Sequence, residues 1–475
     1  MSDRRAFRWA TTGTRILVGT LVAAGFVVAV VTAVAAPWPT YARSAVVVEA
    51  PPVPSATVLA CTGGLLAIGR DAGSAAQLSV AAPQAVTAGS VPGGPSAAES
   101  TLNAPFLANG SGPGPSVFTI APSGAAPTGA AAAGSAVASA DDLRGFAASA
   151  CLPPLMESWL VGGATTTGAA DLVLLANPGT VPATVNLTVY GSQGAQKPPG
   201  GRDVVVAAGQ QLVIPLAGLA LGEESPVVQV TAGGAPIQAA LQSSLTRTLV
   251  PGGVDQVGAV ARSAVDAVIA GVDVTAEPGP VGASDAATLV RILSPGADTT
   301  AIVTVSEVGS DAPALAPITV QLTAGLPAEA QLGGLPVGRY VVRVQAMSPV
   351  LSATWQTTGF GAGADFAWYT AAPELTAPTA FAVPVGARAT LTIANSGATA
   401  ASVSVRSAGS AFSQDVSVPA GGSVALPVPG RDVYTLEPGT APGLHAGLSF
   451  AGDGALAGFP VWPSDAAAAP VRVYP

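Results

Sequence analysis

The chain is short of charge, lysine, histidine and cysteine, and each shortage narrows what it can do. Charged residues make up 9% of its 475 residues, and Lys197 is the only lysine. Nucleic-acid binding relies on clustered Lys and Arg that displace counterions from phosphate. Here 18 basic residues stand against 27 acidic ones, a formal net charge of -9, so no basic field exists and nucleic acid is set aside as a partner. His445 is the sole histidine, which leaves most Ser-His or Cys-His constellations impossible to assemble. A metal site would want more Cys or His close by. Gly-x-Ser-x-Gly elbows, Gly-Lys-Ser phosphate loops and Asp-x-Asp-x-Asp-Gly calcium loops are missing, and no cofactor is expected. Helical stripes are also scarce, because 43 prolines interrupt any long i, i+3, i+4 pattern.

Hydrophobic residues reach 49%, yet only one long apolar run occurs. Residues 16–36 carry no charge and would cross a hydrocarbon core of roughly 30 Å at about 1.5 Å per residue. Arg4, Arg5, Arg8 and Arg15 precede the run and Arg43 follows it, so the positive-inside rule places residues 1–15 in the cytoplasm and the bulk of the chain outside. Trp38 and Tyr41 fall where interfacial aromatics belong. The competing reading is a signal peptide cleaved near Ala35, since Ala33-Val34-Ala35 suits a small-residue cleavage site. The run exceeds the usual apolar stretch of a signal peptide, which favours an uncleaved anchor in the cytoplasmic membrane.

Cys61 and Cys151 are the only cysteines. Both lie in the exported part, and an even number in an oxidising compartment is most simply a structural disulfide. Asn109-Gly110-Ser111 and Asn186-Leu187-Thr188 match the glycosylation pattern by chance. Residues 83–140 are dominated by Ala, Gly, Pro and Ser, a composition that reads as loop, and short strand-like pieces at 45–49, 56–61, 77–80 and 117–120 lie in and around it. Residues 45–150 are therefore expected to be a loop-rich β domain with a low-complexity insert.

From Trp159 onward the pattern repeats. Asn177-Pro178-Gly179, Ser294-Pro295-Gly296 and Asn395-Ser396-Gly397 each follow an apolar strand and lead into an alternating one. A second turn follows at Ala208-Gly209, Ala324-Gly325 and Ala420-Gly421, and its flanking strands read as a hairpin. Each unit closes on a last alternating strand, Ile237-Ala239-Leu241, Leu351-Ala353-Trp355 and Leu444-Ala446-Leu448, reached across a Gly or Pro turn. The chain thus predicts an all-β fold of tandem immunoglobulin-like β-sandwich domains over residues 155–250, 262–360 and 366–463, behind a single N-terminal transmembrane helix.

Cys61 and Cys151, the Trp159-Leu160-Val161-Gly162-Gly163-Ala164-Thr165 stretch and Leu174-Leu175-Ala176-Asn177-Pro178-Gly179, behind a single anchor, resemble an actinobacterial family of membrane-anchored secreted proteins classed as a domain of unknown function. These motifs are turns and strands, so the resemblance implies location and fold and no activity.

Chemistry has few candidates. Asp141-Asp142, Glu223-Glu224 and the Glu157/Asp171 neighbourhood are the acidic pairs a glycosidase would need. Asp141 and Asp142 read better as caps of a short helix, Glu223-Glu224 as a solvated turn, and His445 as a half-exposed strand residue. Trp355 should face the core, and Trp159 and Trp462 sit near domain edges. Adjacent strand residues face opposite sides, which makes Trp368 and Tyr369 a possible ligand platform. The leading expectation is a non-enzymatic structural or interaction protein of the cell envelope, with an unknown envelope protein or glycan as partner. A cell-wall glycan-binding module is second, and a carboxylate-dependent glycosidase third.

Overall fold

A computed structural model describes residues 3–35, 48–50, 55–74, 76–91, 93–108, 114–123, 129–276, 288–310, 312–463 and 471–473. Trp38, Tyr41, Arg43 and the Asn109-Gly110-Ser111 triplet lie outside them, as does part of the segment linking the apolar run to the β domain. The chain forms two compact units, Met1–Pro52 with Pro470–Pro475, and Val53–Ala469.

The first unit contains the one α-helix among the described residues, Asp3–Ala35, of which Gly13–Ala35 is long and apolar enough to cross a membrane. A signal sequence would pass the same test. The side chains described along it are exposed. Two of its hydroxyls bond back into the helix, Thr20 Oγ1 to the Ile16 carbonyl at 2.7 Å and Thr32 Oγ1 to the Val28 carbonyl at 2.7 Å, which satisfies both without water. Val48–Ala50 pairs antiparallel with Val471–Val473 in the same unit.

The second unit is all β. In the first sandwich one sheet orders Glu157–Val161, Val227–Gly233, Ala183–Gly191 and Gly194–Gln196, and the other Gln210–Pro215, Leu172–Asn177, Gln238–Arg247 and Val250–Gly258. The third sandwich repeats the order with Thr379–Val383, Asp432–Glu437, Ala401–Ser407 and Ser413–Val418 over Ser423–Val428, Arg388–Asn395, Leu444–Gly452 and Ala455–Pro460. In the second sandwich the expected turn before the last strand is missing. Gly338–Thr357, 20 residues long, runs through both layers. Its first half pairs with Ala264–Val274 and Thr299–Glu307, its second with Thr288–Leu293 and Phe366–Thr370. Phe366–Thr370 therefore completes the second sandwich, and the third begins at Thr379 instead of 366.

The turns at Gly209, Gly325 and Gly421 adopt φ of +67°, +76° and +68°, where glycine carries no steric penalty. They are not hairpin turns. Val204–Val206 pairs with Ala183–Gly191 in one sheet while Gln210–Pro215 pairs with Leu172–Asn177 in the other, and the third sandwich does the same. Alternation reports which face of a strand is buried and is silent on which strand lies beside it, so a crossing between layers reads like a hairpin. Asn177 and Asn395 tie the two crossings of a unit together. Asn395 Nδ2 donates to the Thr399 and Val418 carbonyls at 2.8 and 3.2 Å, and its Oδ1 accepts from Gly397 N at 2.9 Å. Asn177 makes the equivalent three bonds. Asn395→Ala would leave these buried groups unpaired and is expected to lower stability by about 2–3 kcal/mol, read as an earlier urea midpoint. A change under about 0.5 kcal/mol would remove the corner's role.

Ahead of the sandwiches, Cys61 and Cys151 are joined in a disulfide across a sequence separation of 90. Within residues 83–140 the strand-like piece expected at 117–120 is present as Ser116–Ile120, and the parts expected to be loop contain three further strands, Ala85–Ser90, Ala98–Thr101 and Ala130–Ser139. Alanine has little strand propensity, and tertiary packing overrides it. Ala131 and Ala133 are buried in one cluster with Phe381, Val383 and Tyr434 of the third sandwich, and such short side chains let the layers approach closely.

Candidate functional site

Every β unit ends in a two-stranded antiparallel element, and the four closing strands pack around one another: Arg144–Ala150 against Val250–Gly258, that strand against Phe366–Thr370, that one against Ala455–Pro460, and the last back on the first. Asp365 lies at their meeting point, 2% exposed. Its Oδ2 accepts from Phe146 N at 2.8 Å and Leu456 N at 3.3 Å, and its Oδ1 from Val254 N at 3.2 Å. One carboxyl thus holds backbone from the disulfide-bonded domain and from the first and third sandwiches. Gly145 and Gly253 make room for it, since a Cβ on either would come within 2.5 and 2.8 Å of Oδ1. Burial pushes the Asp365 carboxyl up to about 7, against the backbone N–H groups that pull it down. Asp255, fully buried, accepts from Trp368 N at 2.7 Å and Gln256 N at 2.8 Å, and burial raises it well above the carboxylate range, with Asp365 adding to the rise.

Arg291 fastens the second sandwich to the first. Its Nη1 donates to the Gly163 and Pro226 carbonyls, both at 2.9 Å, and its Nη2 to the Glu224 carbonyl at 3.1 Å. Nε bonds Glu329 Oε1 at 3.0 Å, and the guanidinium lies 4.6 Å from the Trp368 ring centroid. Gly162 presses on that ring, its would-be Cβ at 3.2 Å. Gly162 is therefore glycine because Trp368 docks there, and Gly163 because a Cβ at its φ of +74° would come within 2.2 Å of Asp171 Oδ2. Three glutamines hold the segment after Cys61 in the same way: Gln242 brackets Leu66 N and O at 2.8 and 2.7 Å, Gln256 Nε2 donates to the Gly63 carbonyl at 2.9 Å, and Gln211 Nε2 to the Thr62 carbonyl at 2.9 Å. The chemistry of the whole junction is recognition of peptide groups by buried polar side chains.

Residues 107–429 match the model of DUF5719, a family of unknown function. The chain belongs to this family. The match takes in Cys151, the Trp159-to-Thr165 stretch and the Asn177 corner, and it begins beyond Cys61. No curated protein matches the chain. Among solved structures, the FN1-FN3 domains of chicken CNTN1 are similar over 65% of this chain and 100% of that one, at 11% identity and a TM-score of 0.10. At that score the likeness decides nothing, and the sandwich architecture stands on strand pairing.

Within the DUF5719 region Trp368 and Tyr369 do not form a platform. They are 5% and 2% exposed, because Phe366–Thr370 is covered on both faces: Trp368 joins the core of the first sandwich and Tyr369 that of the second. His445 is also buried rather than half exposed, at 6%. Its Nδ1 lies 2.9 Å from the Ala372 carbonyl, and burial lowers its pKa. Asp141 and Asp142 cap no helix; they occupy the turn between Ala130–Ser139 and Arg144–Ala150, and Asp142 pairs with Arg70 at 2.6 Å. Glu223 accepts from Ser192 N at 2.7 Å, Glu157 from Gln229 at 2.8 Å, and Asp171 from Ala164 N at 2.6 Å and Ser244 N at 2.9 Å. Burial pushes Asp171 up to about 6. Asp142, Glu157, Asp171 and Glu223 thus each have a separate structural partner. Trp159 is buried, and Trp355 and Trp462 are half-buried. Among the described residues no group of three or more His, Cys, Asp or Glu is placed to hold a metal ion.

Proposed function

We propose that the chain is a non-enzymatic structural or interaction protein of the cell envelope, held at the cytoplasmic membrane by residues 16–36 with the β unit outside. The observation that carries this reading is the use of the buried polar groups. Arg291, Asp255, Asp365 and the three glutamines are directed at backbone or neighbouring side chains of other β units, an arrangement suited to a rigid body that presents surface. The disulfide suits an oxidising compartment. The glycan-binding reading loses its aromatic support with Trp368 and Tyr369 buried.

Topology and role are tested together in intact cells carrying the full chain. Protease added outside should reach the β unit, and protection of that unit until lysis would overturn the orientation. In-cell crosslinking from exposed positions should capture one defined envelope component. A turnover activity abolished by one substitution would overturn the non-enzymatic reading.

A further inference from the structure

A cleft of about 730 Å³ opens between the second and third sandwiches, inside the span of roughly 300–1,000 Å³ typical of small-molecule sites. It is walled by the loop before Phe366–Thr370, the Asp453-Gly454 turn, and the strand ends carrying Arg339 and Arg388. We propose that this cleft binds a zwitterionic, peptide-like ligand, with Arg388 taking its carboxylate and Asp453 its ammonium group.

Charge accounting leads there. Arg339 is already neutralised by Asp273, its Nε 2.6 Å from Oδ1. Arg388 and Asp453 line the same cleft, yet among the described residues neither has an ion-pair partner. Arg70, Arg291, Arg343 and Arg406 each pair with a carboxylate, while Arg144, Arg202, Arg262 and Arg431 are, like Arg388, without an ion pair among the described residues; what sets Arg388 apart is that Asp453, an acid equally without one, lines the same cleft. Two opposite charges that share a cavity without meeting are complementary to a ligand bearing both. A simple anion would gain from Arg388 and lose to Asp453. Turn chemistry accounts for the backbone at Asp453, φ 52° before Gly454 at φ 80°, and Asn would serve that turn equally well, so the turn alone does not require the carboxylate.

The wall favours peptide over sugar. No Trp, Tyr or Phe lines the cleft, so stacking on a pyranose ring is unavailable. Gly359, Gly361 and Gly363 line it instead, and a Cβ on any of them would meet nothing within 4 Å. Gly361 lies outside the left-handed region, so neither packing nor conformation demands glycine there. Its carbonyl is taken up by Ala364 N at 3.2 Å, and without a Cβ the backbone beside it can be approached closely by an extended chain.

The proposal deepens the interaction reading above and rests on it. Its test is titration of the full-length protein in detergent with trialanine, N-acetylated trialanine and trialanine amide, followed by calorimetry. Free trialanine should bind, and capping either end should weaken it about ten-fold or more, the scale of one charge-assisted hydrogen bond. Asp453→Asn should erase the penalty of acetylation and Arg388→Gln that of amidation. Gly361→Val should block all three peptides while leaving the thermal midpoint in place. No binding of free trialanine, or equal binding of the capped forms, overturns the proposal. In-cell crosslinking that still captures a partner would then show that only the cleft assignment has failed.

Discussion

Replacing Arg291 by alanine should destabilise the β unit by about 3–5 kcal/mol, the cost of breaking a buried ionic network from one side. The side chain is 2% exposed, and its removal strands Glu329 Oε1 together with the carbonyls of Gly163, Glu224 and Pro226. It also uncovers the Trp368 face on which the guanidinium lies. Arg291→Lys should be nearly as damaging, because a point charge cannot reproduce the planar fork that reaches three carbonyls and a carboxylate at once. Arg291→Met should cost less than alanine, since it refills the volume and keeps contact with Trp368. Guanidinium titrations followed by Trp fluorescence measure the order, with Met less harmful than Lys or Ala. The transition should also broaden or split as the first sandwich uncouples from the second. A loss below about 1 kcal/mol in the alanine variant would mean that apolar contact between the sandwiches suffices without the bolt.

The strand pattern was legible because burial on one face writes a period of two: Val185, Leu187 and Val189 are all buried in the first sandwich, as their spacing predicts. Partner strands were not legible. Whether residues 204–206 turn back on 210–215 or cross to the other layer depends on the path of the turn, and both paths place the same residues inward. Nor does a period of two say what covers the outer face. Trp368 and Tyr369 seemed divided between core and solvent only because a sandwich was pictured alone. The junction residues left one trace, a charge set within an apolar strand, as in Leu289-Val290-Arg291-Ile292-Leu293 and Val254-Asp255-Gln256-Val257. Such a charge must find a partner or forgo its ionisation. Asp365 left no such trace, because it precedes its strand and reads as loop. Arg388 and Asp453 are likewise ordinary at a strand end and in an Asp-Gly turn, and only the cavity between two sandwiches brings them together.

Asp365 should make the β unit more stable in mild acid. Its carboxyl sits at about 7 in the fold against an ordinary value of 3.8, so folding favours the protonated form. The contribution is complete below about pH 4, is lost as pH rises through about 7, and is flat above; the whole change is about 4 kcal/mol. Asp171, pushed up to about 6, and Asp255, raised well above the carboxylate range by burial, act with the same sign. His445, with its pKa lowered by burial, acts against them below the usual histidine range, as do Asp142 and Asp432, both held below the carboxylate range. The comparison that isolates Asp365 is therefore the difference between wild type and Asp365→Asn, measured by denaturant unfolding from pH 4 to pH 8. The wild type should gain about 4 kcal/mol on the variant as pH falls across that interval. The competing force is specific: the amides of Phe146, Val254 and Leu456 all point at the carboxyl, and hydrogen bonds of this kind favour the charged form. If they outweighed desolvation, the difference would run the other way, with the variant gaining as pH falls. Parallel curves would show that the group titrates alike folded and unfolded, and that water reaches the point where the four β units meet.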